Sequence, residues 1–288
     1  MGPEDLIGGG WSLWQTGGGP AGSTERGLQI INKLAEDADA MKALSFFNVH
    51  GYGSDGIKPG GANSTEWKYW AEGWSSAPAQ GLPMSVKGFA ALGKKSWMTE
   101  TSGEKTDWLD PVGAFPSGGA FSISLKIHQA LTTGQQSAWL YWTYADPAGK
   151  GVHVDAFHLT DATLLDKSPK YVAAKHYFRY IRPNAVAIAT TTAGPATLLA
   201  SAYVHAVDKT LTVVLVNTAP ADEAVSIPVP KLMEGATTFE TVVSRDSKLW
   251  VESNTSVIDG AVGVTVPGYG VVTVQGREAP HEGPNGFM

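Results

Sequence analysis

The sequence predicts an α/β region over residues 1–187 followed by an all-β region over residues 188–288. Three observations carry this. Up to Pro183, short apolar strands alternate with segments of helical periodicity, the pattern of a parallel sheet with crossover connections. Beyond Pro183 the segments are short, rich in Val and Thr, and punctuated by Gly, Pro, Asn and Asp, as in an antiparallel β-sandwich of about 90 residues. Tryptophan and charge divide the same way. Nine of the ten tryptophans precede residue 188. Residues 1–187 hold 16 Lys+Arg and 17 Asp+Glu, and residues 188–288 hold 5 and 10, so the net charges are −1 and −5. The tryptophan-rich region is where a site is expected.

The elements follow in order. Residues 1–23 are glycine-rich and read as loop. Ser23 or Thr24 can cap a helix on which Leu28, Ile31, Leu34, Ala35, Ala38 and Met41 recur at helical spacing. Ser45–His50 is a buried strand ending in the turn Gly51-Tyr52-Gly53. A long polar loop follows, carrying Trp67, Trp70 and Trp74, and a weaker helix is expected over 83–93. Lys95–Glu100 is a second strand, closed by Thr101-Ser102-Gly103. Residues 119–132 form a helix with Phe121, Leu125, His128 and Leu131 on one face, and Ala138–Tyr144 is a third strand. Pro169 starts a helix that Arg182-Pro183 stops. The β region then offers Ser201–Val207, Thr210–Asn217, Glu223–Val229, Phe239–Val243 and Gly270–Gln275, with Asp208-Lys209 as a hairpin tip.

Composition removes several function classes. The chain has no cysteine, so disulfides, cysteine-ligated metals and cysteine nucleophiles are excluded. A net charge of −6 with 17% charged residues lacks the basic footprint of a nucleic-acid binder. No apolar run reaches the length of a membrane span. The histidines are scattered without metal-ligand spacing, and Gly8-Gly9-Gly10 and Gly17-Gly18-Gly19 match neither a phosphate loop nor a dinucleotide fingerprint. The first residues lack the basic and apolar regions of a signal peptide, so the chain is either cytoplasmic or begins after an export signal.

In parallel α/β barrels, side chains at the C-terminal strand ends line the active site. Here these are His50, Glu100 and Tyr144–Asp146. Glu100 ends an otherwise apolar strand and precedes small residues able to donate hydrogen bonds, which suits a carboxylate nucleophile as well as a strand-end ion pair. His50 suits the orientation of a carboxylate or a sugar hydroxyl, and equally a structural hydrogen bond. In Trp139–Tyr144 the alternation puts Trp139, Tyr141 and Thr143 on one side and Trp142 and Tyr144 on the other. Rings near carboxylates suit a pyranose; rings on the opposite side suit core packing.

These motifs, His50–Gly53, Trp97-Met98-Thr99-Glu100, Trp139–Asp146 and the run from Lys167-Ser168-Pro169-Lys170-Tyr171 to Arg182-Pro183, together resemble the C-terminal half of clan A glycoside hydrolases, family 30 first and family 5 next. The resemblance implies a partial (half) (β/α)8 TIM-type barrel, strands five to eight of the family pattern over 1–187, followed by an antiparallel β-sandwich over 188–288. Pro3-Glu4 takes the place of the end of the fifth strand. Residues 1–187 fall short of the roughly 250 of a complete barrel, and strands one to four are absent.

The resemblance also implies a function: retaining hydrolysis of a β-linked glycan, of the β-glucan (cellulose) type or xylan. Glu100 is then the catalytic nucleophile, and His50, Tyr52, Trp142 and Tyr144 shape the sugar site. The family's acid/base glutamate has no counterpart, since no Asn-Glu-Pro occurs. Retaining hydrolysis needs a second carboxyl about 5–5.5 Å from the nucleophile. The stand-ins are Glu4, placed first, then Asp55, Glu66, Glu104 and Asp146. Without one, the chain reads as a non-catalytic carbohydrate-binding protein or an inactive fragment of a longer glycosidase. No cofactor and no metal are implied. The expected partners are an oligo- or polysaccharide and, across the open side of the half barrel, a second copy in a homodimer, unless residues 1–23 and 54–82 cover that side. Neither nucleic acid nor membrane is expected. The resemblance puts the parent protein outside the cell or in the periplasm.

Overall fold

The structure is a computed structural model that describes residues 23–51, 65–77, 82–110, 118–145, 157–161 and 163–278. The chain divides into two compact units, Met1–Lys170 and Tyr171–Met288.

In the first unit, helix α1 (Ser23–Leu34) and helix α2 (Ala38–Ala43) replace the single expected helix. The break has a local cause: the Asp37 carboxylate accepts from the Asp39 and Ala40 backbone N–H groups and caps a new helix start. Strand β1 (Phe47–His50) leads into a crossover that carries helix α3 (Thr65–Glu72) and a short ladder of β2 (Gly73–Trp74) with β3 (Val86–Lys87). The tryptophans assigned to a polar loop thus lie partly on a helix. Trp67 and Trp70 are fully buried, the Trp67 indole N–H donates to Gln129 Oε1 at 3.1 Å, and Trp70 stacks on Phe89. The helix expected over 83–93 is absent; that stretch is β3 and a run of turns. Gly73 has φ +78°, and a Cβ there would lie 2.0 Å from the Val86 carbonyl oxygen, so the ladder requires glycine at this position.

Strand β4 (Ser96–Glu100) pairs in parallel with β1. Helix α4 (Phe121–Leu131) then returns the chain to Trp139, which forms a parallel bridge to Met98. The third expected strand is reduced to this bridge and a second one, Ala145 with Thr160. The order β1, α3, β4, α4, Trp139 is the expected strand-helix alternation with parallel pairing. Every residue of α4 from Phe121 to Ala130 is buried, so this helix has no solvent face, where the sequence suggested a single apolar one.

The second unit begins within helix α5 (Pro169–Phe178), earlier than the 187/188 division expected from composition. Hydrogen bonding explains the difference. His176 Nδ1 and Nε2 each lie 2.8 Å from a hydroxyl, those of Thr273 and Ser244, and the Thr212 hydroxyl donates to the Tyr180 carbonyl. These bonds tie the helix and the turn after it to the sheet that follows.

The sheet has eight antiparallel strands in the order β5-β6-β7-β12-β9-β10-β11-β8. The ranges are β5 (Val186–Ile188), β6 (Leu198–His205), β7 (Thr210–Asn217), β8 (Glu223–Pro228), β9 (Thr238–Arg245), β10 (Lys248–Ile258), β11 (Ala261–Val266) and β12 (Val271–Arg277). Its hydrogen bonding is continuous. The first part of β10 pairs with β9 and its last two residues, Val257 and Ile258, pair with β11. Yet β11 packs against β7, four strands away, a separation of about 19 Å in a flat sheet. The sheet is therefore curled onto itself around Leu198, Leu211, Val213, Leu215, Phe239, Val262, Val266 and Val272. The antiparallel strands expected of a β-sandwich thus form one continuous curled sheet. Lys209, at φ +52°, turns β6 into β7 at the expected hairpin tip.

Candidate functional site

The C-terminal ends of β1 and β4 bring His50 and Glu100 together. The ladder pairs Val49 with Met98 and then His50 with Glu100, so Thr99 is skipped and the irregularity draws Glu100 level with His50. His50 Nε2 lies 3.7 Å from Glu100 Oε2, beyond direct hydrogen-bond reach and within ion-pair range for a protonated imidazole. The two side chains keep 17% and 23% of their surface, enough for a ligand to reach both. Backbone bonds hold the pair: the Gly51 N–H donates to the Glu100 carbonyl at 2.8 Å and the Thr101 hydroxyl donates to the Gly51 carbonyl at 2.8 Å.

The aromatic segment runs beside this strand end. Burial alternates as the sequence predicts: Trp139 is buried at 8% exposure, whereas Trp142 and Tyr144 are exposed at 52% and 59%. Two amide bonds tie the segment to the neighbourhood of Glu100, Leu140 N–H to the Met98 carbonyl and Trp142 N–H to the Thr101 carbonyl, both at 2.9 Å. On the other side, the Leu159 and Thr160 amides donate to the Thr143 and Tyr144 carbonyls. The Trp142–Thr143 peptide is cis. A large ring with an apolar face thus stands exposed one hydrogen bond away from the residue that follows the carboxylate, a combination that suits a ligand with both C–H and hydroxyl surfaces.

Beneath the strand end lies a buried charge cluster. Glu104 is 1% exposed and its carboxylate is paired with the Lys126 ammonium from α4. The Tyr141 hydroxyl donates to the same carboxylate at 2.9 Å, and the buried Lys170 ammonium donates to the Glu104 carbonyl at 3.3 Å. Glu104 is therefore removed from the stand-ins for an acid/base: two donors occupy its oxygens, and no face of it reaches solvent.

Of the sequence-predicted residues, His50, Glu100, Trp142 and Tyr144 are described, with His50 and Glu100 in direct apposition. Glu4, Tyr52, Asp55, Asp146 and the side chain of Glu66 lie outside the described residues. Lys126 and Tyr141 went unremarked as site residues. The available signal for Lys126 was a lone lysine spaced among Phe121, Ile123, Leu125 and Ile127, a residue type almost never buried unless paired. Among the described residues no group of three His, Asp or Glu side chains could hold a metal ion, and no helix is long and apolar enough to cross a membrane.

No family model matches the chain. Solved structures share its fold. A GH30 endoxylanase from Clostridium papyrosolvens C71 superposes with a TM-score of 0.62 over 96% of this chain at 17% identity. A glycoside hydrolase family 30 subfamily 8 xylanase from Clostridium acetobutylicum gives the same values. A bifunctional glucanase-xylanase from a metagenome library covers 88% of this chain with a TM-score of 0.52 at 16% identity. The chain spans 61% of the length of the two clostridial enzymes and 47% of the third. The family 30 likeness read from the sequence motifs thus extends to the fold over nearly the whole chain.

Proposed function

We propose that the chain is a glycoside hydrolase acting on a β-linked glycan, xylan or a β-glucan, with Glu100 as the nucleophile. The observation that carries this reading is the half-buried Glu100 carboxylate at the C-terminal end of a parallel strand, 3.7 Å from His50, with the exposed Trp142 tied through its backbone amide to the carbonyl of the next residue, Thr101. Glu100 would attack the anomeric carbon as the glycosidic C–O bond breaks, the leaving oxygen taking a proton from the acid/base; the glycosyl-enzyme is then hydrolysed with retention by a water that returns its proton to the same acid/base. His50 would orient the carboxylate or a sugar hydroxyl, and the rings of Trp142 and Tyr144 would stack on pyranose faces, with Tyr52 completing the sugar site. The xylanase and glucanase-xylanase fold neighbours support this substrate class. Glu4 remains the first choice for the acid/base.

The xylanase and glucanase-xylanase activities belong to longer chains, and Glu104, one stand-in for the second carboxyl, is buried in an ion pair. That observation favours a second reading, a non-catalytic carbohydrate-binding protein. Turnover of aryl β-xylosides and β-glucosides decides between them: activity lost in Glu100→Gln supports the enzyme, and glycan binding without turnover supports the binding protein.

The proposal extends to a homodimer. Phe46 and Trp97 stack at 4.1 Å and stay partly exposed on the β1–β4 sheet, and among the described residues β1 has no outer neighbour. Light scattering is expected to give twice the 30.3 kDa chain mass; a single-chain mass overturns the dimer.

A further inference from the structure

The Lys126 ammonium meets three groups. One is the Glu104 carboxylate, one the Thr101 hydroxyl oxygen at 3.3 Å, and one the Ser102 carbonyl at 3.5 Å. That matches the three N–H donors of a lysine, and the side chain is buried at 9% exposure. Thr101 and Ser102 are the two residues that follow Glu100. The Thr101 hydroxyl, while accepting from Lys126, donates to the carbonyl of Gly51, the residue after His50. The Thr101 carbonyl accepts the Trp142 amide. The Glu104 carboxylate, in turn, accepts from Tyr141, the residue before Trp142. One buried cation therefore holds Thr101, Ser102 and Glu104 directly, and through Thr101 and Glu104 it is linked to Gly51, Trp142 and Tyr141, each next to a proposed site residue or itself one.

We propose that Lys126, held by Glu104, is a positioning residue: it fixes the loop Thr101–Glu104 and thereby the placement of Glu100 against His50 and Trp142. A plain packing role is a poor explanation. A lysine buried on a helix whose other buried residues include Phe121, Ile123, Leu125 and Ile127 is costly, and an apolar residue of similar volume would often be as stable or more so. What an apolar residue would not supply is a set of directed bonds to the backbone beside the carboxylate. The inference rests on the proposed role of Glu100.

The test uses the full chain with 2,4-dinitrophenyl β-xylobioside and β-cellobioside, whose leaving group needs little protonation, so that the step read is attack by the carboxylate. Four proteins are compared: the parent, Glu100→Gln, the charge-balanced double variant Lys126→Met/Glu104→Gln, and Phe89→Leu as a control for a general loss of packing in the same unit. The double variant removes both charges of the Lys126–Glu104 pair together and is expected to fold, as read by circular dichroism and thermal unfolding. Its kcat is expected to fall about a hundredfold with KM within about threefold, the signature of a misplaced reacting group. Phe89→Leu is expected to lower the unfolding temperature and leave kcat within about threefold. A folded double variant with kcat within threefold of the parent, while Glu100→Gln is inactive, overturns the positioning role and leaves the Glu100 reading standing. A parent without turnover, or Glu100→Gln with parental activity, overturns the Glu100 reading and this inference with it.

Discussion

The Trp142 amide donates to the Thr101 carbonyl at 2.9 Å, which joins an exposed aromatic ring to the residue directly after Glu100. The bond matters because Trp142 and Glu100 belong to different segments, separated in sequence by the whole of α4. Parallel pairing of the two segments, begun at Met98 and Trp139, brings them level. Ring and carboxylate are then placed by backbone geometry, and side-chain substitutions can remove either one without moving the other.

The rings of Trp142 and Tyr144 are expected to contribute to binding and little to folding. Trp142→Ala and Tyr144→Ala should each raise KM on xylo- or cello-oligosaccharides about tenfold, the equivalent of about 1.4 kcal/mol of lost ring contact. At 52% and 59% exposure, both should change unfolding free energy by less than about 0.5 kcal/mol. Steady-state kinetics beside urea titration checks this, and a loss of stability without a change in KM would assign the rings to packing.

Removing one member of the buried pair should differ from removing both. Lys126→Met alone leaves the Glu104 carboxylate buried with its cation gone, and should destabilise the first unit by about 3–5 kcal/mol. Adding Glu104→Gln should recover most of that loss. Urea unfolding of the two variants gives the comparison; equal stability would mean that the pair is not desolvated as its burial indicates.

Much of this arrangement is legible in the sequence, and the reasons are specific. Glu100 stands out because a carboxylate at the end of Ser96-Trp97-Met98-Thr99 breaks an apolar run, and Trp142 and Tyr144 stand out because strand alternation separates them from Trp139. Helix α3 is hidden because its Trp67 and Trp70 sit in a glycine- and serine-rich neighbourhood that reads as loop, and tertiary burial overrides the local signal. The break between α1 and α2 is hidden because the apolar spacing runs through it, while Asp37 caps the second helix. Strands β5, β10 and β11 are missed for another reason. Val186–Ile188 is too short to show a period, and β10 is mostly exposed, so neither offers the buried alternation that marks a strand. Glu104 reads as a reactive carboxylate because nothing local announces that Lys126, 22 positions later, will neutralise it.

The second unit should weaken in mild acid. Burial, with Lys175 adding to it, lowers the His176 pKa to about 3 from an ordinary 6.5. Its bonds fix the neutral form: the Thr273 hydroxyl donates to the His176 carbonyl, so Nδ1–H donates to Thr273, and Nε2 accepts from the Ser244 hydroxyl, which itself takes the Trp250 N–H. The folded pKa is depressed, so the unfolded chain binds the proton first. The contribution of His176 is complete above pH 6.5 and is lost as pH falls from 6.5 toward 3. Between pH 6.5 and pH 4 the parent should lose on the order of 3 kcal/mol more than His176→Gln, read from urea unfolding at each pH. Parallel curves for parent and variant would contradict the assignment of a neutral, buried His176.

The most direct measurement is kcat/KM of parent and Glu100→Gln on 2,4-dinitrophenyl β-xylobioside and β-cellobioside, with both proteins shown to be folded by circular dichroism. A carboxylate nucleophile that forms a covalent intermediate carries several kcal/mol of the barrier. The account predicts a loss of at least about a thousandfold in Glu100→Gln; a folded variant within tenfold of the parent would contradict it.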